Sequence, residues 1–416
     1  MNTKSFSKTK GQIIVLFALG LLALIALAAL VLDGGMLFLN RRTAQAAADA
    51  GALAGARALC YEGSEETAIN TAIQFATTEN GGSTATASID ADSGDIVVDV
   101  TMNQSSFFAR VFNIDTLNVP ATASANCFPP GSARNVIPVA WACRAPVGGL
   151  GDSDDCTILT LDWETEMQPL IRSHFMGETG PVLIHGEWVD RDPFVFTGRN
   201  GDITDQIYVI MDSEKLAGDM YENCMPNGPI NCDFDGDGIP NISAGGDRSW
   251  LALEEGKGAA FLEEWLQNGL ATPLNVHTWL AGVSGDKNKV FKAVQRYVMA
   301  TSTNPYKFAV IPVFDDYCIE DPMDETSVCY ERVHPEDTRV FNGSNENYFH
   351  VIAFAAFYVT CVDDGGQVEC PGARAANLPG SAKSVEGYFV SGAPVTFGPG
   401  GTGDYDIGVY VVSLTR

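Results

Sequence analysis

The chain has 416 residues, and its 52 acidic residues against 25 Lys and Arg give a formal net charge of −27. A protein this acidic repels nucleic-acid phosphates, which argues against a general DNA- or RNA-binding role. Apolar residues make up 46% of the chain and its 42 glycines follow no G-X-Y period, so the composition excludes disordered acidic and collagen-like chains and predicts a globular, loop-rich protein.

The first predicted element is an apolar helix over residues 13–32, a stretch without a charged side chain. At about 1.5 Å per residue this helix is about 30 Å long, which matches the hydrocarbon core of a bilayer. The apolar region of a cleaved signal peptide is shorter, typically about 7–15 residues. The length therefore favours a retained membrane anchor, with a cleaved signal peptide and a buried core helix as the alternatives.

All ten cysteines follow this apolar stretch. An even number on one side of a membrane is typical of a disulfide framework formed in an oxidising compartment. The sequence therefore predicts a single-pass membrane protein with its N-terminus inside and residues 40–416 outside. Eight cysteines form close sequential pairs and two remain as candidates for a longer bridge: Cys143 with Cys156, Cys224 with Cys232, Cys318 with Cys329, Cys361 with Cys370, and then Cys60 and Cys127.

An alanine-rich segment, residues 41–56, comes next and predicts a strong helix with small side chains. Gly51 and Gly55 stand four residues apart, and this G-x-x-x-G spacing lets another backbone approach closely. The face they form has two interpretations, packing within its own domain or helix–helix assembly with another chain. The apolar helix is expected to continue into this segment through residues 33–35, where a kink is also compatible with the sequence.

A longer motif joins these elements: Gly11-Gln12, the apolar stretch, Leu32-Asp33-Gly34-Gly35, and then residues 40–56. The motif resembles the N-terminal domain of Tad-type (tight adherence) proteins, the TadE/TadG-like proteins of Flp pilus assembly, over about residues 11–127. The resemblance implies a membrane-anchored structural or assembly component of a bacterial pilus or adhesion system, without enzymatic activity. The partners it implies are the membrane, other pilus-assembly or envelope proteins and a second copy of the chain, and neither nucleic acid nor a small-molecule substrate is expected.

The chain divides into three predicted parts: residues 1–40 with a cytoplasmic tail and the transmembrane helix, residues 41–127, and residues 128–416. The boundary at 127 rests on two prolines and a glycine that follow Cys127. The patterns of the middle part predict helices over 65–78 and 105–112 and strands over 83–89, 95–102 and 117–127. A long helix on a small antiparallel sheet is a pilin-like arrangement, as the family resemblance also allows.

The distal part is predicted to be mixed and strand-rich, which gives the whole chain an α+β class. The predicted strands are 135–142, 157–161, 182–188, 206–211, 308–314, 348–362, 384–390 and 407–414. The predicted helices are 258–268 and 287–300.

Residues 232–241, Cys-Asp-Phe-Asp-Gly-Asp-Gly-Ile-Pro-Asn, contain the clearest candidate metal site. Calcium takes six to eight oxygen ligands, several of them carboxylates, and alternate aspartates converge where the chain turns sharply. The segment resembles EF-hand-like and thrombospondin type 3 calcium loops, but Ala244 stands at the twelfth position in place of an acid. A solvated acidic turn is the alternative. The predicted ligands of a structural calcium ion are Asp233, Asp235, Asp237, the Ile239 carbonyl, Asn241 and Asp247.

Catalytic signals in the sequence are weak. None of its five histidines forms H-E-x-x-H, and neither a nucleophile elbow nor a P-loop string occurs. No catalytic residue is therefore predicted, and the first hypothesis is the structural or assembly protein. The alternatives are a surface adhesin or calcium-dependent binding module that uses the distal part, and a secreted hydrolase, for which a cleft would be required.

Overall fold

The structure is a computed structural model in which two compact units are distinguished. One unit comprises the residues up to Cys127 together with 412–416, and the other comprises residues 128–411. The described residues are 12–108, 110, 113–139, 141–142, 160–184, 187–189, 208–212, 242–244, 250–283, 288–318, 320–340, 347–364, 370, 383–395, 397, 403 and 406–415.

The first unit begins with one unbroken helix, α1 (Gln12–Glu62), of 51 residues. It passes through residues 33–35 without interruption, as the sequence predicts. Residues 14–32 are exposed apart from half-buried Ala29, whereas most of the alanines after residue 43 are buried. The helix therefore has two distinct parts, one that projects and one that packs.

A second helix and a small antiparallel sheet cover the packed part of α1. These elements are α2 (Glu65–Gln74), β1 (Thr84–Ile89), β2 (Ile96–Ser105) and β3 (Thr116–Phe128). Strand β2 pairs antiparallel with both β1 and β3. Its residues Ile96, Val98 and Val100 are buried at every second position, which is the period of a strand with one face on a core.

The second unit mixes short helices with many strands. Its strands are β4 (Ser132–Ala133), β5 (Trp141–Ala142), β6 (Leu161–Asp162), β7 (Val182–Ile184), β8 (Glu187–Val189), β9 (Tyr208–Asp212), β10 (Ile242–Ala244), β11 (Leu274–Asn275), β12 (Thr278–Ala281), β13 (Ala309–Cys318), β14 (Thr338–Val340), β15 (Tyr348–Asp363) and β16 (Lys383–Ser391). Its helices are α3 (Gln168–Met176), α4 (Leu262–Asn268) and α5 (Asn288–Tyr297).

Strand β15 is the centre of a sheet that has nine strands within the described ranges. It pairs antiparallel with β12, β13 and β16, and β14 pairs in parallel with β12. Both faces of β15 are covered, because every residue from Tyr348 to Val359 is buried. A strand buried on both faces reads as an almost continuous apolar run, which is how residues 348–362 appear in the sequence.

The last strand, β17 (Val411–Leu414), belongs to the sheet of the first unit, where it pairs with β3. Beyond it, the backbone N–H of Thr415 donates to the Ser124 carbonyl at 2.8 Å, and its hydroxyl donates to Asp95 Oδ2 at 2.6 Å. Residues 128–411 are therefore inserted between two neighbouring strands of one sheet. The sequence analysis assigned this strand to the distal part, because no local pattern in its residues predicts that they pair with β3.

The broad prediction of a long N-terminal apolar helix followed by mixed helices and sheets is confirmed. The predicted short helix over 105–112 is wrong at residues 105–108. Ser105 ends β2, and the backbone N–H groups of Phe107 and Phe108 donate to the Asp33 carboxylate rather than to a helical turn. Helix α3 and the short strands β12 and β14 have no counterpart among the predicted elements.

Deleting residues 412–416 should loosen the first unit. The deletion removes β17 and three hydrogen bonds of Thr415 to Ser124 and Asp95, which are worth roughly 1 kcal/mol each in net terms, so we expect a loss of about 2–3 kcal/mol. Hydrogen–deuterium exchange of the full chain in detergent should rise in peptides of β3 and stay constant in β15. Deletion of Arg416 alone is the matched control, and unchanged protection of β3 would contradict the prediction.

Candidate functional site

The projecting part of α1 is the first functional feature of the first unit. Among the described residues one helix is long and apolar enough to cross a membrane, and none of its most apolar 18-residue window is buried. Phe17 and Leu30 are each 71% exposed. This segment therefore does not act as a core helix of the described structure, and its length and composition are consistent with a membrane-anchored protein.

Hydrogen bonds fix the point at which α1 leaves its exposed part and joins the folded unit. The carboxylate of Asp33, directly after the apolar stretch, accepts the backbone N–H groups of Phe107 and Phe108 at 3.0 Å each. Two turns later Arg41 Nη1 donates to the Pro120 carbonyl at 2.8 Å. The helix is thus held along the β2–β3 pair from Asp33 onward.

The glycines of the G-x-x-x-G spacing face the interior of the first unit. A Cβ on Gly51 would lie 2.8 Å from the Ala72 carbonyl oxygen, and one on Gly55 would lie 2.8 Å from the Ala72 Cβ and 3.0 Å from Ile96 Cγ2. These contacts are within the chain. The two residues therefore serve the close approach of α1 to α2 and β2, which is the packing interpretation, and an assembly face on another chain cannot use them while α2 is in place.

Three of the five predicted disulfides are confirmed. Cys60–Cys127, Cys318–Cys329 and Cys361–Cys370 are bonded, with Cα–Cα separations of 6.4, 6.2 and 5.8 Å. The first ties the end of α1 to the end of β3, which closes the longest of the three loops.

The other two predicted bridges and the predicted calcium site fall on residues outside the described ranges. One bridge would join Cys143 and Cys156, and the other would join Cys224 and Cys232. Both bridges stay predictions. The same holds for all six predicted calcium ligands, which are Asp233, Asp235, Asp237, Ile239, Asn241 and Asp247.

A cluster of histidine and aspartate side chains in the second unit is a feature that the sequence analysis missed. His277 directly precedes β12, Asp337 directly precedes β14, and His350 lies in β15. Since β12 pairs with both β14 and β15, with Thr278 opposite Thr338 and Trp279 opposite His350, the three residues are brought together. We call these three residues the His–Asp cluster. Their potential ligand atoms all lie within 4.8 Å of one another.

The hydrogen bonds of the His–Asp cluster leave two buried atoms without a partner. His350 Nδ1 lies 2.8 Å from Asp315 Oδ1 in β13, and Asp337 Oδ2 accepts from Trp279 Nε1 at 3.0 Å and from the His334 backbone at 2.9 Å. On the other side, His350 Nε2 and Asp337 Oδ1 are 3.4 Å apart but make no hydrogen bond. His277 Nδ1 lies 3.9 Å from the same Asp337 oxygen.

The charges around His350 favour a positively charged group in the His–Asp cluster. Burial by itself would lower the pKa of His350, but the hydrogen bond and negative charge of Asp315 and the negative charge of Asp337 outweigh it, so the pKa is raised. The Asp337 side chain is fully buried and that of His350 is 8% exposed. A buried imidazole with two carboxylates beside it is suited to hold a proton or a metal cation.

Of the remaining histidines, His174 is exposed on α3 and His334 is exposed before β14, and His185 lies outside the described residues. A local motif search had no means of finding the His–Asp cluster, because residues 277, 337 and 350 meet only through strand register. The one signal available was the position of His277 and Asp337 immediately before strand-like residues.

Comparison with known proteins confirms the resemblance of the N-terminal segment. A family model described as putative Flp pilus-assembly TadE/G-like matches residues 11–58, which include the apolar stretch and the packed part of α1 as far as Ala58. The chain thus carries a TadE/G-like Flp pilus-assembly domain, and this supports a role in pilus assembly. No curated protein and no solved structure matches the chain.

Adding a methyl group at Gly51 should destabilise the first unit. Gly51→Ala forces the Ala72 carbonyl oxygen or the α1 backbone to move, and overpacking of this kind typically costs about 1–3 kcal/mol. Gly34→Ala is the matched control, since nothing lies within 4 Å of its Cβ position and helix propensity improves by up to about 1 kcal/mol. Thermal unfolding of the full chain in detergent measures both. Equal unfolding temperatures for the two variants would show that Gly51 is not closely packed.

Proposed function

We propose that this chain is a membrane-anchored, extracytoplasmic structural or assembly component of a Tad/Flp-type pilus or adhesion system. The observation that carries the proposal is the continuity of α1, in which an exposed apolar segment leads without a break into a packed domain, over the same residues that match the pilus-assembly family. An apolar helix of this length is unfavourable in water and favourable in a bilayer core.

The cysteines support the proposed orientation, with the N-terminus inside. Each of the three bonded pairs lies on the C-terminal side of the apolar segment, and disulfides of this kind persist in oxidising compartments outside the cytoplasm. The proposed localisation is therefore the bacterial cytoplasmic membrane, with the two folded units on its outer side. Lys4, Lys8 and Lys10 precede the segment and would lie inside.

The first unit supports a pilin-like interpretation, which is part of the proposal. Its long N-terminal helix is exposed and apolar in its first part, and its second part lies on a sheet whose strand order, within the described residues, is β1-β2-β3-β17. In such an arrangement the exposed helix stays in the membrane or is covered by other copies. Whichever of the two covers it, residues 14–32 are the segment through which the chain is held.

Crosslinking of spheroplasts with a membrane-impermeant amine-reactive reagent tests location and partners together. We expect adducts from Lys289 and Lys292, which are exposed on α5, and recovery of other pilus-assembly or envelope proteins with the tagged full-length chain. Permeabilised membranes are the control, because Lys4, Lys8 and Lys10 should react only there.

Two outcomes would contradict the proposal. Adducts restricted to Lys4, Lys8 and Lys10 in intact spheroplasts would reverse the orientation. Recovery of no envelope protein, together with retention of the chain on a glycan or host-cell surface, would favour the adhesin alternative.

A structural calcium ion in the 233–247 segment is a further part of this proposal, and it rests on the sequence. Three aspartates at alternate positions repel one another in a tight turn unless a cation lies between them. The close cysteines Cys224 and Cys232 flank the segment on its N-terminal side. The ion would hold the loop in one conformation, and no chemical step is assigned to it.

Calcium should therefore raise the unfolding temperature of the second unit. An ion that binds only the folded state stabilises it by about 2.7 kcal/mol at a concentration a hundred times its Kd. Asp235→Ala should abolish the calcium-dependent shift, whereas Asp92→Ala, in the exposed turn between β1 and β2, should keep it. The measurement is a thermal melt of the chelated full chain with calcium or magnesium added back. Coincident melts with and without calcium would show that the loop is only an acidic turn.

A further inference from the structure

We propose that the His–Asp cluster, His277, Asp337 and His350, binds one divalent first-row transition-metal ion, with zinc as the best match. Two imidazole nitrogens and one carboxylate oxygen form a donor set that suits zinc and its neighbours, whereas calcium and magnesium require mostly oxygen ligands. The site lies in the second unit and is separate from the residues of the proposed calcium loop.

The first observation behind this proposal is the pair of unpartnered buried atoms. Buried polar atoms are nearly always hydrogen-bonded, and those that are not call for an explanation such as an ion. His350 Nε2 and Asp337 Oδ1 both lack a hydrogen-bond partner, and they lie 3.4 Å apart. A metal ion between them would satisfy both atoms at once, because each contributes a free lone pair.

The second observation is the set of hydrogen bonds on the far side of each ligand. Metal-binding histidines usually donate their other ring N–H to a carboxylate, which fixes the tautomer and the ring orientation. Asp315 is placed to accept from His350 Nδ1 in this way, which leaves Nε2 as the donor atom for the metal. Asp337 Oδ2 is likewise held by Trp279 and the His334 backbone, so that only Oδ1 is left to bind an ion.

The third observation is the backbone of His277, which has a φ of 56°, a left-handed conformation that residues other than glycine seldom adopt. Two backbone hydrogen bonds of 2.8 Å hold it there, from its N–H to the Val351 carbonyl and from the Thr338 N–H to its own carbonyl. Uncommon backbone conformations of this kind cluster at binding sites. Here the conformation places the ring of His277 beside Asp337.

The bound ion would tie three strands together at one side of the large sheet. Its ligands come from the residue before β12, the residue before β14 and the interior of β15, and Asp315 adds the support of β13. Because three protein ligands do not fill a tetrahedral shell, one position stays available for water. His277, which is 25% exposed in its side chain, lies on the side from which water can reach the ion.

A protonated His350 without a metal is the competing interpretation, since the two carboxylates also favour an imidazolium. Both interpretations use the same two atoms: at 3.4 Å, His350 Nε2 and Asp337 Oδ1 form an ion pair when the imidazole is protonated, and they serve as two ligands of one ion when it is neutral. The experiment below separates the two cases.

The test measures metal content of the full-length chain, purified in detergent, chelated, exposed to a small excess of zinc and desalted. Elemental analysis should find one zinc ion per chain, and cobalt substitution should give visible d–d absorption of a tetrahedral site with nitrogen and oxygen ligands. His277→Asn should weaken binding at least tenfold, because asparagine tolerates the left-handed backbone but removes the imidazole. His334→Asn, at an exposed histidine nearby, is the matched control and should bind as the wild type does.

Asp315→Asn is the second variant, chosen because its carboxylate only orients His350. It should weaken zinc about 10–100-fold while the cobalt spectrum keeps its shape. Circular dichroism of each variant establishes that it is folded. The proposal is overturned if the folded wild type binds no zinc or cobalt, or if His277→Asn binds them as tightly as His334→Asn does.

Discussion

The close packing of α1 against α2 and β2 is the constraint on which the first unit depends. Gly51 and Gly55 leave no room for a Cβ, and the surrounding core is built mainly of alanines on α1, α2 and β3. Larger side chains there would hold the helix away from the sheet and break the contact of Arg41 with the Pro120 carbonyl. Because α1 is unbroken, fixing its second part also fixes the direction in which its apolar first part projects. Small residues in the second part of α1 therefore determine how its apolar first part is oriented.

Two further connections hold distant parts of the chain together in the first unit. The Cys60–Cys127 bridge joins the end of α1 to the end of β3, and β17 pairs with β3 from the other end of the chain. The helix is thus joined to the sheet by a covalent bond as well as by side-chain packing. The insertion of residues 128–411 between β3 and β17 means that both of its ends are attached to neighbouring strands.

The sequence predicts the features of this chain that depend on local order. The apolar stretch, the α1 continuation through Asp33 and the pairing of Cys318 with Cys329 each follow from neighbouring residues. The features that depend on register were missed. The pairing of β17 with β3 joins residues separated by most of the chain, and the members of the His–Asp cluster meet only because β12 lies between β14 and β15. The interior role of Gly51 and Gly55 was left undecided for the same reason, since spacing alone does not tell which backbone approaches.

The two units are stabilised by separate apolar cores, and both proposed cation sites belong to the second unit. The alanine core of the first unit and the aromatic core around β15 are distinct clusters, so each unit has its own apolar stabilisation. Strands β12 and β14 are short, and a short strand with few ladder hydrogen bonds is held weakly unless side chains add to it. The His–Asp cluster lies at the start of both strands, where the carboxylates of Asp315 and Asp337 both lie beside His350. An ion there would attach both strands to β15 through its ligands, while the exposed apolar helix and the alanine core of the first unit stay as they are.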